Sequence, residues 1–177
     1  MEIQHTGRSA MRGLRTLAAA GVLLACGASQ AQELGLLVGN YHGNHRVTLL
    51  YTAAVPWYSS ELAGHTFEVV PEAGVSRYSA SQGPDRVLYQ VHATPTLRYW
   101  LGDLYLEGGI GVSLLDGTRL NERRLSTAFL FSDHLGLGYR VSPKVRVGYR
   151  FTHVSNASIK QPNMGIDMQQ LFVSVAF

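Results

Sequence analysis

The chain has 177 residues, enough for one domain, and a formal charge of +3, too mild to mark a binder of nucleic acid or another polyanion. After residue 31 no apolar run reaches the roughly 18 residues of a membrane-spanning helix, which excludes a helical membrane protein. The mean hydropathy of +0.02 does not exclude a transmembrane β-barrel, whose strands alternate apolar and polar residues.

Residues 11–31 have the form of a secretory signal. Arg12 and Arg15 make a positive start, Thr16 to Ala25 an apolar stretch, and Ser29 and Ala31 the small residues at positions −3 and −1 of a cleavage site. Residues 1–31 are therefore expected to be removed, with Met11 as an alternative start, leaving a mature domain over 32–177. Cys26, the only cysteine, falls inside the signal, so no disulfide is expected. Leu23-Leu24-Ala25-Cys26 also has the form of a lipoprotein cleavage box, a second option for processing.

From Leu34 onward, alternating stretches separated by turn residues predict eight strands. They are 34–42, 46–57, 65–79, 86–101, 104–115, 128–141, 144–155 and 166–177. No stretch has a helical period. Gly102-Asp103 and Ser142-Pro143-Lys144 are tight connections. Asp116 to Thr127 and Asn156 to Gly165 are long polar loops. Short turns at one end and long loops at the other are the habit of outer-membrane barrels, with both termini on the periplasmic side. The last strand alternates Leu171, Val173, Val175 and Phe177, and its terminal aromatic resembles the assembly signal of such barrels. The expected fold is thus all-β, an eight-stranded antiparallel transmembrane β-barrel.

Parity then assigns the walls. In the seventh strand the odd positions Val145, Val147, Tyr149 and Phe151 are apolar, while the even positions include Arg146 and Arg150. Alternate residues share a face, so the odd face meets lipid and carries His153 and Ser155 at its outer end. The odd face of the last strand also points outward and carries Asp167 and Gln169. His153, Ser155 and Asp167 therefore share the lipid-facing surface of two adjacent strands. Polar groups there are costly, less so near the interface, and call for a reason.

That reason is chemical. Residues two apart on one strand face have Cβ atoms roughly 6–7 Å apart, close enough for side-chain rotation to bring His153 to the Ser155 hydroxyl. A histidine can take the serine proton, and an acid behind the imidazole fixes its tautomer and stabilises its charged form. Asp167 is placed for that role. Asn156 can supply an oxyanion donor through its backbone N–H or its amide, although parity turns the side chain inward. Asp133 is a rival acid: if Ser142-Pro143-Lys144 is a three-residue loop, it falls opposite His153, but on the other neighbouring strand from Asp167. Holding the outer loop or a substrate hydroxyl is its other reading. Asn163 can bond the loop backbone or help the site, and Gly165 suits a positive-φ turn.

The segment from Arg150 through His153-Val154-Ser155-Asn156 to Pro162-Asn163-Met164-Gly165 resembles the signature of the outer-membrane lipid A 3-O-deacylases: His-x-Ser-Asn, a Pro-Asn-x-Gly turn, then an acid opening the last strand. Phe131-Ser132-Asp133-His134-Leu135-Gly136-Leu137-Gly138 resembles that family too. The likeness is compact over 129–177. It implies hydrolysis of the ester-linked 3-hydroxyacyl chain at position 3 of lipid A, with Ser155 as nucleophile, His153 as base and Asp167 as acid. The family usually has Glu at that last position.

No cofactor is expected. His42 and His45 lack acidic or cysteine neighbours, so no metal is expected either. Arg119, Arg123 and Arg124 lie on an outer loop, where they either meet lipid A phosphates or are simply solvated. The expected partners are lipid A or lipopolysaccharide as substrate, outer-membrane lipid and a second copy of the chain in a homodimer, with no nucleic acid. The alternative is a non-enzymatic small barrel in a structural or adhesion role.

Overall fold

The computed structural model describes residues 32–81 and 86–177. The proposed signal and Cys26 lie outside the described residues. Among them are eleven strands: β1 (Glu33–Tyr41), β2 (Asn44–Thr52), β3 (Tyr58–Leu62), β4 (His65–Ala80), β5 (Val87–Leu101), β6 (Leu104–Leu115), β7 (Arg119–Leu120), β8 (Arg123–Arg124), β9 (Phe129–Arg140), β10 (Val145–Ser155) and β11 (Ile166–Ala176). Eight of these, β1, β2, β4, β5, β6, β9, β10 and β11, pair antiparallel in sequence around a closed ring, sealed where β1 meets β11. Closure leaves no edge strand, which is what a sheet in lipid requires.

Alternation in the sequence becomes two walls. Leu34, Leu36 and Val38 of β1, Leu104, Leu106 and Ile110 of β6, and Leu171, Val173 and Val175 of β11 all point outward and are exposed. An apolar belt of this extent is a lipid-facing surface. The intervening residues point inward and are largely polar.

The middle of the barrel is an ion-pair network. Arg150 donates through Nε to Glu107 Oε1 at 2.7 Å and through Nη1 to Glu72 Oε2 at 3.0 Å. Arg98 joins Glu72 at 3.1 Å, and Arg146 pairs with Glu33. Nearby, Arg46 donates to Ser76, Gln90 and Gln170. Charges taken out of water are tolerable only when partnered in this way.

The end that carries the long loops is filled differently. Tyr78, Leu88, Leu115, Leu120, Leu125, Leu130, Val154, Ile166 and Met168 form an apolar cluster. Leu120 and Leu125 come from the 116–128 connection, which sequence reading treats as a polar loop. It instead folds a small β7–β8 hairpin over the barrel mouth, with both leucines fully buried. A second difference concerns the predicted strand 46–57. It breaks after Thr52, and the chain re-forms a pairing as β3, which meets the start of β4 through an Ala63-Gly64 turn with φ of 53° and 79°.

Candidate active site on the lipid-facing wall

Inward anchors set the outward groups. Val154 lies between His153 and Ser155, and Ile166 and Met168 flank Asp167; all three apolar side chains are at most 1% exposed in the apolar cluster. Their packing fixes the backbone of β10 and β11 at the height where the polar residues emerge on the other face.

The ladder pairs His153 directly with Asp167. Their side chains meet, Nδ1 to Oδ1, at 2.6 Å, a short hydrogen bond of the charge-assisted kind. Both remain partly exposed, at 38% and 27% of the side chain. With Nδ1 engaged, the imidazole has Nε2 left for a second partner. Ser155 stands two residues further out on the same face, half-buried, and its Oγ accepts a hydrogen bond from the Ala157 N–H at 3.4 Å. His153 is also opposite Asp133 on β9, so the imidazole lies between two acids, of which only Asp167 bonds it.

Asn156 turns inward and is 1% exposed. Its amide donates to Leu125 O at 2.9 Å and to Lys160 O at 2.8 Å, and its backbone N–H donates to Asn163 Oδ1 at 3.2 Å. Both candidate oxyanion donors of Asn156 are therefore occupied, and Asn163 bonds loop backbone. Together these two asparagines hold the 156–165 connection in shape. Ala157 and Ser158 follow with φ of 51° and 64°, two successive left-handed residues that cost of order 1–3 kcal/mol each outside glycine. Gly165 has φ of 61°, and a Cβ there would lie 2.8 Å from His153 Cε1, so the turn closes directly against the imidazole.

Sequence reading missed how the plug supports the site. Arg123 of β8 donates to Met164 O at 3.1 Å and Gly165 O at 3.3 Å, Met164 N–H donates to Arg124 O, and Ser126 donates to Pro162 O at 2.6 Å. The Arg123 guanidinium thus braces the segment leading into Asp167 rather than standing free in solvent. Two leucines and an arginine scattered through a polar loop carry no period that would reveal this.

A cavity of about 340 Å³ opens at the short-turn end beside His65, Trp100, Arg140 and Arg146, the far end of the barrel from Ser155. Fold and surface together define a membrane-spanning β-barrel that carries His153, Ser155 and Asp167 on its lipid-facing wall rather than in the lumen.

Residues 39–176 match the family model described as lipid A 3-O-deacylase (PagL). The chain is 38% identical over 174 residues to the lipid A deacylase PagL of Bordetella bronchiseptica, covering 93% of this chain and 94% of that one. It is 33% identical over 113 residues to the lipid A deacylase PagL of Pseudomonas aeruginosa, covering 64% and 61% respectively. A crystal structure of the outer membrane enzyme PagL superposes with a TM-score of 0.67 at 27% identity, covering 81% of this chain and 98% of that one. The chain belongs to the lipid A 3-O-deacylase family: it is an outer-membrane enzyme that hydrolyses ester-linked acyl chains.

Proposed function

We propose that this protein removes the 3-hydroxyacyl chain esterified at position 3 of lipid A, using Ser155 as nucleophile, His153 as general base and Asp167 as the orienting acid. The observation that carries the reading is the 2.6 Å contact between His153 Nδ1 and Asp167 Oδ1 on the lipid-facing wall, with Ser155 beside it. A solvated ion pair would need no serine there, and an adhesive barrel would need none of the three.

In the first half-reaction the Ser155 Oγ proton passes to His153 Nε2 as Oγ attacks the ester carbonyl carbon. The carbonyl π pair moves to oxygen, giving a tetrahedral oxyanion. Collapse breaks the bond to the sugar 3-oxygen, which leaves with the proton from the imidazolium. Water then repeats the sequence on the acyl-enzyme and frees the 3-hydroxy fatty acid and Ser155. Asp167 keeps the Nδ1 proton facing it throughout and stabilises the charged imidazole. The Ala157 N–H already reaches Ser155 Oγ at 3.4 Å, which makes it the amide best aimed at the developing oxyanion. In this reading Asn156 and Asn163 are positioning residues that hold Ala157 in its strained conformation. The free imidazole need not bond the serine before substrate arrives, since such contacts tighten in the bound complex.

Ser155→Ala and His153→Ala are each expected to lower release of 3-hydroxy fatty acid from lipid A by about 10⁴-fold or more. Each variant should still run as a folded, heat-modifiable barrel. Normal release by either folded variant overturns the mechanism.

A further inference from the structure

Two arginines face each other at the end of the barrel away from Ser155. Arg140 and Arg146 are direct cross-strand partners on β9 and β10, and both line the cavity at the short-turn mouth, the periplasmic end of an outer-membrane barrel. Like charges set opposite each other destabilise a strand pair. Arg146 is offset by Glu33. Arg140 has only Asp103, at 3.8 Å and partly in solvent, and an exposed pair of that kind contributes little. Among the described residues no hydrogen bond uses the Arg140 guanidinium.

The cavity, of about 340 Å³, is large enough for a small ligand. Trp100 organises it. Arg140 and Arg146 stand over its ring, with Cζ 4.2 and 5.2 Å from the ring centre. A guanidinium held over an aromatic face still has in-plane N–H donors to offer an oxyanion. The indole Nε1 donates to Glu68 Oε1 at 2.8 Å, and Glu68 Oε2 has no partner among the described residues. Two cations and one half-engaged carboxylate therefore line one space. A simple anion there would meet Glu68, and a simple cation would meet the arginines. A zwitterion satisfies both.

We infer that this cavity binds a phosphoethanolamine group, with its phosphate on Arg140 and Arg146 and its ammonium on Glu68. Two guanidinium groups offer more donors than one carboxylate can accept, and a phosphate has the oxygens to take them. An amino acid carries both charges on one carbon, too close to reach across the indole, whereas ethanolamine separates them by two. The headgroup of an inner-leaflet phospholipid and the same group free in solution share this chemistry. A lipid has a route: only the two-residue Gly102-Asp103 turn separates the cavity from Leu101 and Leu104, which are exposed on the lipid-facing wall. Gly102 leaves open space where a Cβ would sit. The inference does not depend on the serine-esterase reading.

The chain has two tryptophans, Trp57 and Trp100, so in the mature Trp57→Phe protein the indole emission comes from Trp100 alone. Ethanolamine phosphate is titrated into that protein in dodecyl maltoside micelles at fixed ionic strength. The expected result is a saturable change in emission as the guanidinium groups shift over the ring. Half-saturation should come at a concentration about tenfold lower than for glycerol 3-phosphate, which lacks the ammonium. Glu68→Gln, whose amide oxygen still accepts from Trp100 Nε1, should remove that preference. Arg140→Gln should abolish saturation; if it does not fold as a heat-modifiable barrel, Arg140→Lys, which keeps the charge but loses the fork, should weaken binding instead. A second arm uses dihexanoyl phosphatidylethanolamine, with dihexanoyl phosphatidylglycerol as its comparator. Saturation by the lipid alone assigns the site to a membrane headgroup, and saturation by ethanolamine phosphate alone to a soluble ligand; either supports the inference. No saturable change in either arm, equal affinity for the comparator without the ammonium, or unchanged binding in the folded Arg140 variant overturns it.

Discussion

At the scale of single residues, the His153–Asp167 pair joins two directly paired strands, so the backbone ladder itself sets the distance between the partners. This bears on how an aspartate, the shorter of the two acidic side chains, serves at position 167. The shorter side chain still reaches Nδ1 at 2.6 Å, because the two residues are directly paired and need no extra methylene. Asp167→Asn is expected to lower kcat on lipid A by about 10²–10⁴-fold with little change in barrel stability, since the amide cannot stabilise the imidazolium. Asp167→Glu should retain most of the activity. Rates measured on the two variants side by side check both statements; an Asn variant as active as the wild type would remove Asp167 from the mechanism. The alternation of β10 and β11 makes these three residues readable as neighbours in the sequence itself. Parity also turned Asn156 inward, but its partners Leu125, Lys160 and Asn163 were not readable, because they depend on which loop carbonyls and amides come within reach once the chain has turned.

At the scale of elements, the β7–β8 hairpin is what the sequence concealed. A run with Arg119, Asn121, Glu122, Arg123 and Arg124 reads as solvated, and Leu120 and Leu125 stand too far apart to mark an amphipathic strand. Their meaning comes from the barrel mouth beneath them, where inward residues of six other strands leave an apolar floor. Burying that floor sets the hairpin down, and the hairpin then braces the 156–165 connection through Arg123 and Ser126. Leu125→Ala should cost about 2–4 kcal/mol by opening a cavity in the plug. A urea titration in detergent micelles reads that loss as a lower midpoint. Activity under native conditions should fall as well, because the same hairpin holds the approach to Asp167. A variant with unchanged midpoint and unchanged turnover would show that the plug is dispensable.

At the scale of the whole molecule, the barrel's two fillings divide its work. The mid-barrel network of Arg98, Arg150, Glu72 and Glu107 ties together β4, β5, β6 and β10, residues far apart in sequence. Parity in the sequence puts Arg146 and Arg150 inside but cannot name their partners, because pairing across a lumen depends on how the ring closes. Arg150→Met should cost about 3–5 kcal/mol, since it leaves Glu72 and Glu107 short of positive charge in a place they cannot be hydrated. The midpoint of urea unfolding in lipid vesicles gives the measure, and a loss under about 1 kcal/mol would mean that Arg98 alone satisfies both acids. The break between β2 and β3 escaped the sequence for a related reason. Residues 53–57 carry apolar side chains that extend the pattern, yet Pro56 lacks the amide N–H that a continued ladder would use.

In the proposed mechanism the outward placement of His153, Ser155 and Asp167 also changes what concentration means for this enzyme. A buried pocket samples molecules per unit volume, whereas a reactive patch on the wall of a membrane cylinder samples molecules per unit area of the leaflet around it. Its turnover is then governed by the mole fraction of substrate among neighbouring lipids. In a leaflet crowded with substrate the patch is always occupied, and control passes from encounter to how well each neighbour fits and how quickly its products move away.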